Sequence, residues 1–326
     1  MMDRLLSRLN IDLFLLLLVS AVALASLLPP RGAFSGIAGG AADAGIALLF
    51  FLHGARLSRE AILEGARAWK LHAAVASLTF MLFPAIGLAL LTIPGLDPAL
   101  ATGLLFLTLL PSTVQSSIAF TAVAGGNVAA AVCSASFSNL AGIFVTPLLT
   151  ALLITGKQGG FSTDPVVTIA LQLLLPFLAG HFLRPWIGAF VMRHRKALGL
   201  IDRGSILLVV YTAFGAAVVA GLWHRVSLGE LALMAGLSLG ILALVLLAAA
   251  LLGRWLGFLR EDRIVLIFCG SKKSLATGVP LAGVLFTQAQ VGAVILPLMF
   301  FHQVQLMVCA VLARRFAQTQ RREALA

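Results

Sequence analysis

Residues 110–117 read LPSTVQSS, and residues 269–274 read CGSKKS. Each stretch interrupts a long apolar run with helix-breaking and polar residues. Pro111 lacks an N–H and clashes with the preceding turn, and Gly270 weakens a helix by its backbone freedom. Hydroxyls follow the first break, and two adjacent lysines, Lys272 and Lys273, follow the second. Lipid offers nothing to hydrogen-bond a released N–H or carbonyl. Unwound backbone is therefore tolerated at membrane depth only where it is buried in protein or lines a wet cavity. Two such stretches in one chain predict a polytopic membrane protein with a polar interior.

The residues around them agree. Sixty per cent of the 326 residues are hydrophobic and 11% are charged, where a soluble domain carries about a quarter charged residues. A span needs roughly 20 apolar residues. Ten runs qualify: 11–28, 37–55, 69–92, 99–124, 127–154, 165–187, 201–222, 228–253, 263–286 and 290–313. Pro29 with Pro30, Pro94 with Gly95, Gly125 with Gly126 and Gly159 with Gly160 punctuate them. The first run has a second reading as a signal peptide, with Arg4 and Arg8 ahead of it and Ala23-Leu24-Ala25 as a cleavage site. Its span length favours a retained helix. Cys133, Cys269 and Cys309 lie inside apolar segments without disulfide or zinc spacing, and read as small packing residues.

The net charge of +11 does not imply nucleic acid, because the basic residues form short clusters between apolar runs. With a cytoplasmic N-terminus, the inner segments hold 18 of them. They are Arg4 and Arg8; Arg56, Arg59, Arg67 and Lys70; Arg184, Arg193, Arg195, Lys196 and Arg203; Arg254, Arg260 and Arg263; and Arg314, Arg315, Arg321 and Arg322. The outer segments hold three, Arg31, Lys157 and Arg225. This bias places both termini in the cytoplasm, and the basic belts face lipid headgroups. The expected setting is a bacterial inner membrane. The expected organisation is one polytopic domain over 1–326, with 314–326 as a cytoplasmic tail.

Ten spans divide into two sets of five, at about 11–154 and 165–313. An odd-numbered unit inserts with opposite topology in its second copy, giving an inverted repeat. The two interruptions fall in the fourth helix of each half. Where broken helices cross, half-helix termini and free carbonyls supply partial charges for ions and polar solutes. The expected fold is thus all-α, ten transmembrane helices in an inverted five-plus-five repeat, with two broken, crossing helices.

Intramembrane polar residues are costly and therefore candidates for function. Gln115, Ser116 and Ser117 lie on the first break, and Ser271, Lys272, Lys273 and Ser274 on the second. Asn127 either binds or caps the fifth span. Ser134 and Ser138 are one turn apart on that span. His302 and Gln303 lie in span ten, His302 as a proton carrier or an interhelical partner. Gln305 reads as an interhelical hydrogen bond. Gln172 and Tyr211 are candidates by position alone, as is Asp43 in span two. An insertion cost of about 2.5–3.5 kcal/mol per central lysine makes the two lysines the sharpest signal. Lys273, beside Ser274, is the preferred one. The plainer alternative is that both pair with carbonyls or carboxylates for structure.

At these residues the chain resembles the bile acid:sodium symporter family. The likeness rests on Pro111 through Ser117, on Gly126-Asn127-Val128-Ala129, on Leu174 through Gly180, and on Cys269 through Ala276. Cys133 through Ser136, Lys273-Ser274-Leu275 and His302-Gln303 place it near the bacterial branch that resembles solute carrier family 10 member 7. The resemblance implies a core domain around spans four and nine and a panel domain from spans one, two, six and seven. It also implies a crevice for substrate between them, and alternating access. The chain departs from the family at the sodium ligands. Ser116 and Ser117 replace a Ser-Asn pair, Ala131 and Ala135 replace hydroxyls, Thr79 replaces a glutamine, and Ile267 through Ser271 replaces a Glu-x-x-x-Gln stretch. A coupling sodium would be left with Ser116, Ser117, Ser134, Ser138 and Ser271, and no other cofactor is expected. Proton or lysine-based coupling is the alternative.

The expected function is secondary transport of a small organic anion, with membrane lipids as the other partners. An enzyme is disfavoured. Gly270 through Ser274 resembles a phosphate loop, but Val265 stands where its first glycine is required. A regulatory membrane protein that transports nothing is the competing class, and a channel a further one.

Overall fold

A computed structural model describes residues 13–56, 68–154, 174–225 and 227–325. The described residues are helices and connections, with no strand among them. In chain order the helices are α1 Leu13–Leu27, α2 Ala33–Arg56, α3 Trp69–Leu90, α4 Pro98–Leu109, α5 Gln115–Val123, α6 Val128–Leu153 and α7 Leu175–Arg193. They continue with α8 Arg195–Val219, the short α9 Leu222–Arg225, α10 Leu228–Trp255, α11 Arg260–Gly270, α12 Leu275–Leu285 and α13 Gln288–Leu325. Seven segments are long and apolar enough to cross a membrane: α2, α3, α6, α8, α10, the pair α11 and α12 taken together, and α13. The other three expected spans correspond to shorter described pieces. Span one is described from Leu13 and span six from residue 174, and span four is divided between α4 and α5. Gln172 lies outside the described residues. The segment expected as a tail continues α13 as helix to Leu325.

Local sequence explains the ends that matter. Asp97 caps α4, its carboxylate accepting from Ala99 N–H at 2.9 Å and Leu100 N–H at 3.1 Å, with Pro98 following. α4 stops at Leu110, whose backbone is extended (φ −75°, ψ 155°) ahead of Pro111. α11 stops at Gly270, and Ser274 starts α12 by accepting from Thr277 N–H at 3.1 Å. Both interruptions read from the sequence are therefore present.

α3 carries one irregular turn, a π-turn over Leu78–Leu82. Its cause is Pro84. Phe83 N–H reaches back to the carbonyl of Leu78, five residues earlier, instead of to Thr79. The next N–H in that ladder would belong to residue 84, and proline has none. The Thr79 carbonyl is left without a helical partner, a common outcome of a π-turn at a functional site.

The chain divides into two compact units. The first comprises Met1–Leu57, Ser162–Ser227 and Val279–Ile295. Its densest packing is α2 on α7, where Gly54 and Gly180 let the backbones touch. A Cβ on Gly180 would sit 1.9 Å from the Phe51 carbonyl oxygen, and one on Gly54 would sit 2.0 Å from that of Phe177. Arg56 and Asp202 form the one ion pair found among the described residues. Tyr211 donates to the Leu28 carbonyl at 2.8 Å, and Asp43 is exposed. The second unit comprises Ser58–Phe161, Leu228–Gly278 and Leu296–Ala326. Its buried cluster runs through Leu71, Val75, Leu78, Ala131, Ala135, Val265, Phe268 and Cys309. Both helix interruptions lie in this unit.

Candidate functional site

An interrupted helix releases carbonyls at one end and N–H groups at the other. Released groups buried without partners cost about 1–3 kcal/mol each, so the decisive question is where they go. At the first interruption every carbonyl from Thr108 to Ser112 has an acceptor's role. The Leu109 carbonyl accepts from Thr146 Oγ1 at 2.7 Å. Those of Thr108 and Leu110 accept from Lys273 Nζ at 2.8 and 2.7 Å. That of Pro111 accepts from Ser274 N–H at 2.9 Å, and that of Ser112 from Asn139 Nδ2 at 2.7 Å. Ser112 N–H donates to Ser138 Oγ at 3.0 Å. The second interruption is closed by the first. Ser112 Oγ donates to the Cys269 carbonyl at 2.6 Å and Ser117 Oγ to that of Phe268 at 3.0 Å. Gln305 grips Lys273 on both sides. Its Oε1 accepts from Lys273 N–H at 2.9 Å and its Nε2 donates to the Lys273 carbonyl at 3.0 Å. The two breaks thus complete each other's hydrogen bonding.

The adjacent lysines sit in opposite surroundings, though both side chains are fully buried. Lys273 Nζ has a third acceptor, the Thr79 carbonyl at 2.8 Å that the π-turn releases. All three ammonium protons are matched by carbonyls, at the C-terminal end of α4 where the helix dipole is negative. The same Nζ lies 4.0 Å from the centre of the Phe83 ring. Lys272 Nζ has no hydrogen-bond partner among the described residues. It lies 3.9 Å from the centre of the Phe120 ring and 5.6 Å from that of Phe268. Such ring contacts are worth about 0.5–2 kcal/mol, less than the several kcal/mol that desolvating an ammonium costs. No carboxylate pairs with either lysine among the described residues.

The remaining candidates scatter around this core. Gln115 is exposed at the start of α5. Ser116 and Ser117 both meet Thr113 Oγ1, at 2.8 and 3.0 Å. Ser134 pairs with His72 Nδ1 at 2.7 Å. Ser271 donates back to the Ile267 carbonyl at 2.6 Å. Ser274 donates to Thr277 Oγ1 at 2.9 Å. Asn127 caps α6, accepting from Ala130 N–H at 3.0 Å, and donates to Asp262 at 3.0 Å, so it ties α6 to α11. His302 Nδ1 accepts from Gln305 Nε2 at 2.9 Å. Gln305 makes the interhelical contact expected of it. Gln303 is half-buried, and its Oε1 has no partner among the described residues.

Sequence reasoning passed over His72, Asn139 and Thr277. Asn139 joins both breaks, donating to the Ser112 carbonyl and accepting from Thr277 Oγ1 at 2.8 Å. Its signal was present, since an asparagine deep in an apolar span is costly unless it bonds. His72 was hidden by the neighbouring Lys70, which reads as part of a basic belt.

Among the described residues no three His, Cys, Asp or Glu side chains gather as a metal group. A sodium ion would instead seek carbonyl and hydroxyl oxygens. The carbonyls of Thr79, Thr108 and Leu110 are such a set, but the Lys273 ammonium fills it. The hydroxyls of Ser134, Ser138 and Ser271 are engaged with three different partners. The residues at this cradle do not fit an additional cation.

The SBF-like CPA transporter family matches residues 12–318. A Pseudomonas aeruginosa relative named "Uncharacterized protein PA2026" is 55% identical over 314 residues, covering 94% of this chain and 93% of its own. The Escherichia coli protein named "Putative symporter YfeH" is 52% identical over 317 residues, covering 96% of each. The rat "Sodium/bile acid cotransporter 7" is 28% identical over 330 residues, covering 95% and 93%. The expected kinship with bile acid:sodium symporters is upheld, and the seven apolar segments make the chain a multi-pass membrane protein. Matched over nearly its whole length and built around two interrupted, mutually bonded helices, the chain belongs to the SBF-like CPA transporter family.

Proposed function

We propose that the chain is a secondary transporter of a small organic anion, a sterol-derived acid or another carboxylate or sulfate, working by alternating access. In this reading it is a ten-span inverted repeat in a bacterial inner membrane with both termini cytoplasmic. The division of the chain supports that topology, because expected spans one, two, six and seven fall in the first unit and spans three, four, five and eight in the second. The relatives' names, a symporter and a sodium/bile acid cotransporter, support coupled movement of an acidic, sterol-like solute. Family membership argues against an enzyme.

One observation carries the coupling mechanism: the Lys273 ammonium rests on three released carbonyls. A covalently attached cation there supplies the positive charge that a bound sodium would bring. Transport is then independent of sodium, and a proton gradient is the driving gradient. Lys272, buried without an acceptor, is the charge left to meet a carboxylate or sulfate when the crossing opens. The test is uptake into proteoliposomes of a panel of labelled sterol acids, steroid sulfates and short carboxylates. Accumulation of at least one under a proton gradient without sodium, lost in Lys273→Met, is expected. Uptake that requires sodium and survives loss of both lysines would defeat the coupling scheme. No accumulation of any panel member under either gradient would defeat organic-anion transport itself.

A further inference from the structure

An apolar groove lies within the second unit. It has a volume of about 630 Å3 and is walled by α10, α11 and α13, with Leu247, Ile267, Val311 and Leu312 among its lining. Leu247 is 57% exposed and Val311 55% exposed, so this face meets lipid. Every lining side chain is apolar except one: Arg315. That arginine is exposed, and no ion pair holds it among the described residues.

We propose that this groove binds an anionic glycerophospholipid, with an acyl chain along the apolar walls and the phosphate on Arg315. Two features select that occupant. The first is charge. Arg315 follows Arg314, and Arg260 donates to the Phe316 carbonyl at 3.0 Å, so cationic groups concentrate at this end of α13. The nearest carboxylate in sequence, Glu323, is eight residues further along the chain from Arg315; Glu261 and Asp262 belong to the start of α11, and Asp262 is engaged by Asn127. A guanidinium binds phosphate with two parallel N–H donors, and basic pockets between spans recruit anionic headgroups. The second is shape. An open apolar trough of about 630 Å3 with a single cation among its lining matches one acyl chain and one phosphate. It offers no second polar group that would orient a compact polar solute.

The groove also borders the second lysine's pocket. Phe316 lines it and packs edge-on against Phe268, with ring centres 6.2 Å apart and planes at 81°. Phe268 in turn faces Lys272 Nζ at 5.6 Å. Ile267, also in the lining, immediately precedes Phe268. A lipid seated here presses on the wall of the Lys272 chamber, so its presence is transmitted to the interruption through one aromatic contact.

The experiment measures binding of phosphatidylglycerol and of phosphatidylcholine to the purified full chain in detergent, by native mass spectrometry and by thermal unfolding. The wild type should prefer phosphatidylglycerol by about fivefold, the scale of one basic contact near a membrane surface. Arg315→Gln should remove that preference, Arg315→Lys should retain part of it, and Lys70→Gln on α3 should leave it intact. Equal binding of the two lipids to the wild type would overturn the proposal. So would a preference that survives Arg315→Gln or is lost equally in Lys70→Gln. Leu247→Trp, which fills the groove and keeps the charge, should reduce binding of both lipids, and unchanged binding there would also count against it.

Discussion

Two close contacts between helices, one in each unit, are built on opposite principles. Where α2 meets α7 in the first unit, Gly54 and Gly180 bring carbonyl oxygens to within 2.0 Å of where a Cβ would stand. Both helices stay unbroken there, and backbone meets backbone. Where the interruptions meet in the second unit, both ladders are cut. Side chains and backbone from α3, α6 and α13 then replace what the cuts release. The first contact resists change of size. The second resists change of polarity, because each of its groups completes another's hydrogen bonding. Only the second can be rearranged by exchanging partners, which is what a site that opens and closes requires.

That contrast breaks most severely at Lys273. Lys273→Met leaves three buried carbonyls without donors, at about 1–3 kcal/mol each. The variant should lose several kcal/mol of stability as well as transport, read by thermal unfolding and proteoliposome uptake; a melting temperature equal to wild type would refute the carbonyl cradle. At the glycine contact, Gly180→Ala sets a methyl against the Phe51 carbonyl, a backbone atom that cannot rotate away. Overpacking of this kind costs about 1–3 kcal/mol. The expected result is a lowered melting temperature with the Lys273 cradle intact. A neutral Gly180→Ala would show that α2 and α7 separate freely.

The comparison sharpens between neighbours. Lys272→Met removes an ammonium that has aromatic faces but no acceptor, so stability should hold or rise by about 1 kcal/mol while transport is lost. If it destabilises as much as Lys273→Met, the two lysines share one role and the division between them fails. The smallest effect is expected at the hydroxyls. Replacing Ser116 and Ser117 together by alanine removes the donor to the Phe268 carbonyl. It should cost about 1 kcal/mol and slow uptake without abolishing it. Unchanged uptake at wild-type expression would take these serines out of the site.

Much of this arrangement was legible in the sequence, and the reason is energetic. Helix breaks in apolar runs are expensive, so Pro111 and Gly270 announced themselves, and the number of lysines left unplaced by topology pointed to the second break. Other parts were illegible for physical reasons. Neighbouring side chains point about 100° apart on a helix, but Lys272 and Lys273 lie in a non-helical stretch. Nothing in their order tells which faces carbonyls and which faces phenylalanines. Lys273 is favoured in the sequence because it stands beside Ser274, yet its three acceptors come from residues 79, 108 and 110, more than 160 residues earlier in the chain. Asn139 bonds across chain separations of 27 and 138 residues, which no local pattern encodes.

The π-turn of α3 has a consequence for how this cradle is encoded. One of the ligands of the Lys273 ammonium is free because Phe83 N–H turns to Leu78 and Pro84, five residues beyond Thr79, has no N–H to take its place. The coordination number of the cation is thus written partly in a position that supplies no ligand. Pro84→Ala would return that N–H, let the ladder close over Thr79, and turn a three-coordinate ammonium into a two-coordinate one while every residue that touches it stays the same. A chain of this kind can retune its resident charge from a distance, by adding or deleting a single imino acid.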